Sequence, residues 1–284
     1  MNVKSYSSPE DFLEAVGTEL ESQEPVNSLV LGVSLQAVRN PERFSHPLCL
    51  KVVEADGEPV LAAVMTPPKS LLLAGRPDRP AERLEALAQS LVAEGWNVPG
   101  IHGPKEIAAE MAACLARIGE KTYRLDRELR LYELRRIEFN DSARGVLRRA
   151  GAEDLERVAR WWQAASSEMK MPADPAETRK TAAFRTGDGD VFLWEDGEPV
   201  SMAMKTRPTR HGISVGMVYT PPDRRNKGYA TACVSELSRR LLNEGRQFCT
   251  LYADLDNPVS NGIYRKMGYR PLGDVQEFSA VGEG

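Results

Sequence analysis

One ten-residue pattern occurs twice in this chain and sets the strongest limit on its fold. KVVEADGEPV (51–60) returns as VFLWEDGEPV (191–200), and the two copies share the five residues DGEPV. Each copy predicts a hairpin, because a strand, a glycine turn and a second strand follow one another. The alternative is chance, since DGEP is common in hairpin turns. Upstream, SPEDFLEAV (8–16) and GAEDLERVA (151–159) are similar acidic helix starts, which favours two copies of one α/β plan.

The two copies differ by one loop. LVAEG (91–95) and LLNEG (241–245) both read as helix ends with a glycine stop, but the spacing between the copies is larger here than at the hairpins. The second half holds VYTPPDRRNKGYA (218–230) where the first holds only LLLAGRPDRPAE (71–82). We therefore expect a first domain at 1–140, a second at 145–284 and a boundary in the polar segment EFNDSARG (138–145).

The additional loop has the chemistry of an anion site. GISVGMVYT (212–220) is strand-like, and apolar residues recur at helical spacing after Arg225. A strand thus enters a helix through a loop that contains Gly228, and free amide groups at such a helix start attract a phosphate or diphosphate. Arg225 and Lys227 add positive charge, and Ala230 is small enough for close approach. The alternative is an exposed basic turn that precedes a helix.

This loop resembles the signature of the GNAT superfamily of acetyltransferases, R/Q-x-x-G-x-G/A, which Arg225, Gly228 and Ala230 fill. A second hallmark is an Asn near a helix start, a Tyr seven residues later and then Gly-Tyr or Gly-Phe. LYADLDNPVSNGIYRKMGYRPL (251–272) supplies these residues in order, as Asn257, Tyr264, Gly268 and Tyr269. The resemblance covers about residues 149–284. The first half looks like a degenerate copy, with GPKEIAAEMAACLARIG (103–119) in place of the second hallmark.

The resemblance implies an α/β fold of two tandem GNAT-like domains, each with a mixed, mostly antiparallel central sheet flanked by helices. It implies acetyl-coenzyme A (acetyl-CoA) as the co-substrate, without a metal. Backbone amides would hold the diphosphate and the thioester carbonyl. The implied cofactor-binding residues are Met217, Val218, Tyr219, Thr220, Arg225, Asn226, Lys227, Gly228, Tyr229, Ala230, Thr231, Asn257 and Tyr264.

Two side chains of the second hallmark have alternative roles. Tyr264 matches the family's general acid, which protonates the departing thiolate, although it would also serve as a packing residue on its helix. Asn257 precedes Pro258, so it is a good N-cap whether or not it also touches the cofactor.

The general base is where this sequence departs from the family, because the strand before the loop carries no carboxylate. His211 has a suitable side chain but lies beside Gly212 in a predicted hairpin turn, where exposure is favoured. Asp254 and Asp256 would share a strand face if the strand continued, and a solvated strand end is the alternative. Ser214 is a candidate for orienting a water.

These residues predict an N-acetyltransferase that moves an acetyl group to an amine of a small molecule or a protein by direct attack on the thioester. The alternatives are a non-catalytic acetyl-CoA sensor, and an acyltransferase for a hydroxyl or thiol. The net charge of −4 gives no reason to expect nucleic acid, and the absence of long apolar stretches gives none to expect a membrane. We expect a cytoplasmic location. The acceptor and the oligomeric state are not predicted.

Other features are predicted to be structural. EKTYRLDRELRLYELRRIEF (120–139) alternates in polarity and reads as a solvated strand that links the halves. Trp161 and Trp162 are expected to pack in the core rather than line a substrate pocket. His46 and His102 are isolated and receive no role. The four cysteines lack metal or disulfide spacing and are expected to be buried: Cys49, Cys114, Cys233 and Cys249.

Overall fold

The computed structural model describes residues 1–75, 80–138, 143–169, 171 and 173–281. Its strands are β1 (Asn2–Tyr6), β2 (Cys49–Ala55), β3 (Glu58–Met65), β4 (Leu71–Gly75), β5 (Gly100–Pro104), β6 (Thr122–Leu134), β7 (Val146–Arg149), β8 (Val191–Asp196), β9 (Glu198–Thr206), β10 (Gly212–Tyr219), β11 (Phe248–Asp254) and β12 (Arg270–Val281). Its helices are α1 (Pro9–Ser22), α2 (Ser28–Arg39), α3 (Pro80–Ala93), α4 (Lys105–Ile118), α5 (Leu155–Glu168), α6 (Pro175–Gly187), α7 (Tyr229–Asn243) and α8 (Pro258–Met267).

The chain forms two compact units. The first contains Met1–Tyr132, Tyr252–Pro258 and the chain from Pro271 onward, and the second contains Glu133–Leu251 and Val259–Arg270. The expected boundary at 138–145 includes residues 139–142, which lie outside the described residues, so the predicted domain limits remain a prediction. None of the helices in the described ranges is both long enough and apolar enough to cross a membrane.

The first unit is a mixed sheet with helices on both faces. Its strand order is β1-β2-β3-β4-β5-β12-β6, and the described pairings are antiparallel except for the parallel pair β4 and β5. Leu84, Leu87 and Leu91 of α3 pack on one face with residues of α4. Phe12 and Leu20 of α1 pack on the other face with residues of α2. The predicted helix start at 8–16 is confirmed, because the Ser8 side chain caps α1 by accepting from the amide of Asp11.

The second unit repeats this plan. Strands β7, β8, β9 and β10 pair antiparallel in sequence order, and β10 then pairs with β11 in parallel. Its core joins Trp161 of α5 to Leu193, Met202 and Met204 of the sheet. Trp162 is half-buried against the same cluster, so packing is the main role of both tryptophans. The α/β fold of two units with mixed, mostly antiparallel sheets agrees with the expectation.

Both predicted hairpins are confirmed, and both contain an irregularity in their strand pairing. The ladder shifts between Val53 and Glu54 in the first copy and between Trp194 and Glu195 in the second. Gly57 and Gly197 turn the two hairpins with φ of 85° and 74°, which a residue with a Cβ rarely adopts. The ladder skips the valine of DGEPV in both copies, Val60 and Val200, although the turns differ because Asp196 pairs with Glu198 while Asp56 is left-handed.

One expectation about a strand needs correction. Strand β6 is not simply solvated, because Leu129, Leu131 and Leu134 are buried along it. Strand β12 pairs antiparallel with β5, from Val275 opposite Pro104 to Ser279 opposite Gly100. The four cysteines are all buried, as predicted.

Candidate active site

The end of β10 is bulged where the thioester carbonyl was expected to bind. Gly216 lies opposite Met204 of β9, but Tyr219 lies opposite Met202, so β10 has one more residue than its partner in this interval. Met217 takes the left-handed conformation with φ of 48° to accommodate it. Amide groups near Met217 and Val218 are therefore displaced from the regular ladder. Strain of this kind at a non-glycine residue is typical of functional sites.

The parallel ladder between β10 and β11 is short. In the described pairing it runs from Gly212 opposite Phe248 to Ser214 opposite Thr250, although β10 continues to Tyr219. The hydroxyls of Ser214 and Thr250 lie 2.8 Å apart at its last pair, and both residues are buried. The bulged part of β10 thus begins just beyond a buried hydroxyl pair.

The loop between β10 and α7 has the backbone of an anion site. Asn226 and Gly228 are both left-handed, with φ of 62° and 80°, and α7 begins at Tyr229 without a capping bond from a side chain of the described residues. Amide groups of the first helical turn have no partner within a helix, and alternation into left-handed conformations turns successive amides to one side. Residues 225–228 are exposed. The Arg225 amide is already engaged, because it donates to the Pro222 carbonyl at 3.3 Å, so a phosphate group would meet the amides that follow it.

Side chains of the loop point back to the protein and hold it in place. The Tyr229 hydroxyl donates to Asp196 at 2.7 Å, which raises the pKa of the phenol, and Arg224 pairs with Glu198. Asp196 and Glu198 belong to the DGEPV hairpin, which the sequence reading treated only as a turn. Their role was missed because residues 26 and more positions apart leave no local signal.

The remaining predicted loop residues have mixed positions. The Thr220 hydroxyl is buried and donates to the Ser201 hydroxyl at 2.9 Å, so it points into the protein. Lys227 is exposed, while Ala230 and Thr231 are partly buried at the helix start. Roles of these residues toward a cofactor stay predictions.

Tyr264 lies in the middle of α8, packed edge-to-face against Tyr269 with ring centroids 5.9 Å apart. Part of its surface is accessible, and desolvation of the phenol raises the pKa of Tyr264 to about 12. The group is therefore protonated at neutral pH, as a proton donor must be. Asn257 is exposed in the first unit, directly before α8, and its amide donates to the Asp254 carbonyl at 3.1 Å.

The four candidates for the general base differ in where the structure places them. His211 lies in the loop before β10, where its carbonyl accepts from Gln247. Strand β11 ends at Asp254, and Asp256 lies in the following turn, so the strand face that they were expected to share does not exist. Asp254 accepts a bond from the amide of Asp256 at 2.9 Å, as a turn-forming residue does. Of the four, only Ser214 lies within β10, shortly before the bulged part that begins after Gly216.

Known proteins show which fold and family this chain resembles. Residues 155–269 match the model of the acetyltransferase (GNAT) family. Among solved structures, a Drosophila protein is similar with a TM-score of 0.71 at 13% identity over 98% of each chain. A GCN5-related N-acetyltransferase from Sphaerobacter thermophilus has a TM-score of 0.64 at 16% identity, covering 100% of this chain and 96% of that chain.

A tandem GNAT protein from the clavulanic acid biosynthesis pathway has a TM-score of 0.51 at 13% identity, covering 100% of this chain and 99% of that chain. No curated protein matches the sequence. The chain has the fold of two tandem α/β units. Within the second of them, residues 155–269 form a domain of the acetyltransferase (GNAT) family, and the first unit has a GNAT-like fold.

Proposed function

We propose that the second domain binds acetyl-CoA at the loop before α7 and transfers its acetyl group to an amine. The observation that carries the proposal is the backbone of this loop: two left-handed residues, an uncapped helix start and exposed amides in an order that the family uses for a diphosphate. The residues present fit the group, because a Cβ is absent at Gly228 and the side chains of Arg224, Arg225 and Tyr229 are turned to the protein.

Each part of the domain has a separate task in this reaction. The amides of residues 226–230 hold the diphosphate with the positive end of the α7 dipole. The displaced amides near Met217 and Val218 donate to the carbonyl oxygen as negative charge develops on it. Bound acetyl-CoA supplies an activated thioester. Tyr264 keeps its proton at neutral pH and donates it to the sulfur as the carbon–sulfur bond breaks.

The test starts with binding. Calorimetric titration of acetyl-CoA into the wild-type protein should give a saturable site, and Gly228→Glu should weaken it by at least about 30-fold, roughly 2 kcal/mol. The substitution places a carboxylate against the diphosphate at a backbone conformation that suits glycine. Gly187→Glu is the matched control, because Gly187 is exposed at the end of α6, has an ordinary φ and would meet no atom within 4 Å.

The second step is release of free thiol from acetyl-CoA against a panel of amines, with hydroxyl and thiol compounds in the same panel. Turnover of an amine supports the proposal, and turnover of only a hydroxyl or thiol changes the acceptor class. Tight binding without turnover would favour an acetyl-CoA sensor. Absence of binding would contradict the function itself.

A further inference from the structure

A further buried carboxylate lies on β6, before the predicted start of the second domain. Glu133 belongs to the second unit, and its side chain is 16% exposed. Its Oε1 atom is inaccessible to solvent and accepts no hydrogen bond of good geometry among the described residues, although it forms an ion pair 2.6 Å from Arg135. Burying a carboxylate in this way costs free energy, which makes the position worth explaining.

Two contacts show which residue of the neighbouring strand β11 lies opposite Glu133. The amide of Leu255 donates to the carbonyl of Glu128, and the guanidinium of Arg135 lies 5.5 Å from the ring centroid of Phe248. Going from the first contact to the second, the residue number increases in β6 and decreases in β11, so these neighbouring strands run antiparallel. Because Arg135 of the chain just after β6 lies opposite Phe248 of β11, Glu133, two residues earlier, lies opposite the residue two positions after Phe248. That residue is Thr250, on the same face.

Thr250 links Glu133 to Ser214 of β10, and we call these three side chains the polar row. Its hydroxyl lies 2.8 Å from that of Ser214, and either atom can donate. The row faces the α5 side of the sheet, because Cys249, the neighbour of Thr250, contacts the Ser238 carbonyl of α7 on the other side. Because the proposed diphosphate site is at the start of α7, the acceptor substrate would approach from the face of the sheet that α5 covers.

We infer that Glu133 is the terminal acceptor of the proton that the acceptor ammonium must lose, reached through the hydroxyls of Ser214 and Thr250. The inference rests on the proposed function and names the base which that function lacks. It also explains why β10 needs no carboxylate of its own. The family's usual position is vacant, but a buried carboxylate lies two strands away at the level of the last β10–β11 pair.

An N–H bond of the ammonium breaks, and its proton passes along the hydroxyls to Glu133 and later to solvent. The freed electron pair forms the C–N bond, the C–S bond breaks with its pair on sulfur, and Tyr264 donates a proton to that sulfur. The second proton lost by nitrogen restores the phenol. The products are an amide, free coenzyme A and one released proton.

The decisive comparison uses two nucleophiles that differ in whether they need deprotonation, and measures the effect of the substitution on each. One is the alkylamine that turns over fastest in the panel, which is an ammonium at neutral pH, and the other is hydroxylamine, which is already neutral there. Glu133→Gln should lower kcat for the alkylamine by about 100-fold or more and for hydroxylamine by much less, with the Kd of acetyl-CoA unchanged. Glu133→Asp should recover part of the alkylamine rate.

Two further variants separate a proton acceptor from a structural ion pair. Arg135→Gln breaks the same pair but keeps the carboxylate, so it should retain the alkylamine rate. Glu236→Gln, in an exposed pair with Arg239 on α7, is the matched control and should behave as wild type. Equal losses for both nucleophiles in Glu133→Gln, or an equal loss in Arg135→Gln, would overturn the inference. A wild-type protein that acetylates no amine would instead refute the proposed function, and the inference with it.

Discussion

The guanidinium of Arg225 donates to both carboxylate oxygens of Glu168, at 2.6 and 2.8 Å, and to the carbonyl of Thr220 at 2.9 Å. It therefore fastens the loop before α7 to the C-terminal end of α5, within one unit. Arg225 is the first residue of the family signature in this chain, and its side chain makes protein contacts while the backbone beyond it faces outward. In the proposed function, Arg225 therefore contributes by positioning the loop amides rather than by binding the cofactor with its side chain.

Arg225→Lys should weaken acetyl-CoA binding by about three- to tenfold, because an ammonium keeps the charge but cannot hold two carboxylate oxygens and a carbonyl at once. Calorimetric titration measures the change. Arg179→Lys is the control, since Arg179 also binds a glutamate, Glu156, in an exposed pair on a different helix. Glu168→Gln should produce a similar loss, and the double variant should lose less than the sum of the two. Fully additive losses would show that the pair does not position the loop.

Tyr264→Phe should lower the rate of acetyl transfer by about 100-fold while leaving the Kd of acetyl-CoA nearly unchanged, because only the proton donor is removed. Tyr269→Phe is a matched control one ring away. The Tyr269 hydroxyl lies 2.9 Å from that of Ser238 in the core, so this variant should lose about 1–3 kcal/mol of unfolding free energy and little activity. Steady-state kinetics with chemical denaturation distinguishes the two. Equal losses of binding and rate in Tyr264→Phe would contradict its assignment as the acid.

The parts of the fold that the sequence predicts well are those whose signals are local. DGEPV specifies a turn through Gly57 and Gly197, and the loop before α7 requires a residue without a Cβ at Gly228. By contrast, β12 pairs with β5 across more than 170 positions, and no short-range pattern indicates which sheet a chain end joins. Glu133 was missed for a related reason: it lies outside the predicted second domain, and its relation to Thr250 depends on strand order.

Lys51 illustrates the same limit inside a correctly predicted strand. Its ammonium is buried and contacts Glu94 as well as the hydroxyls of Ser5 and Ser90, at 2.8 and 2.9 Å. A strand pattern alone does not reveal a partner 43 residues away. The two partners are unequally placed, because the Lys51 side chain is 1% exposed and that of Glu94 is 43% exposed.

This asymmetry predicts unequal costs of breaking the pair. Glu94→Gln leaves a buried ammonium without its counter-charge, and should approach the roughly 3–5 kcal/mol loss typical of such a change. Lys51→Met removes the buried charge and leaves a carboxylate that water can reach, so it should cost clearly less. Urea denaturation of the two variants gives the comparison. A larger loss in Lys51→Met would show that the contacts of Lys51 with Ser5 and Ser90 matter more than its charge.

The same pair predicts how stability depends on acid. The bond from Lys51, with those from Trp96 and Ser90, lowers the pKa of Glu94 to about 2 from its ordinary value of 4.5. A lowered pKa in the folded state contributes stability above the ordinary value, and this contribution is lost as pH falls from about 4.5 through about 2. The wild-type urea midpoint should therefore fall between about pH 5 and pH 3 by more than that of Lys51→Met, whose Glu94 lacks the partner that lowers its pKa. Other carboxylates with lowered pKa values, among them Asp154 and Glu277, contribute to the acid sensitivity of both proteins and cancel in this difference. Equal shifts in the two proteins would mean that Glu94 does not couple protonation to folding.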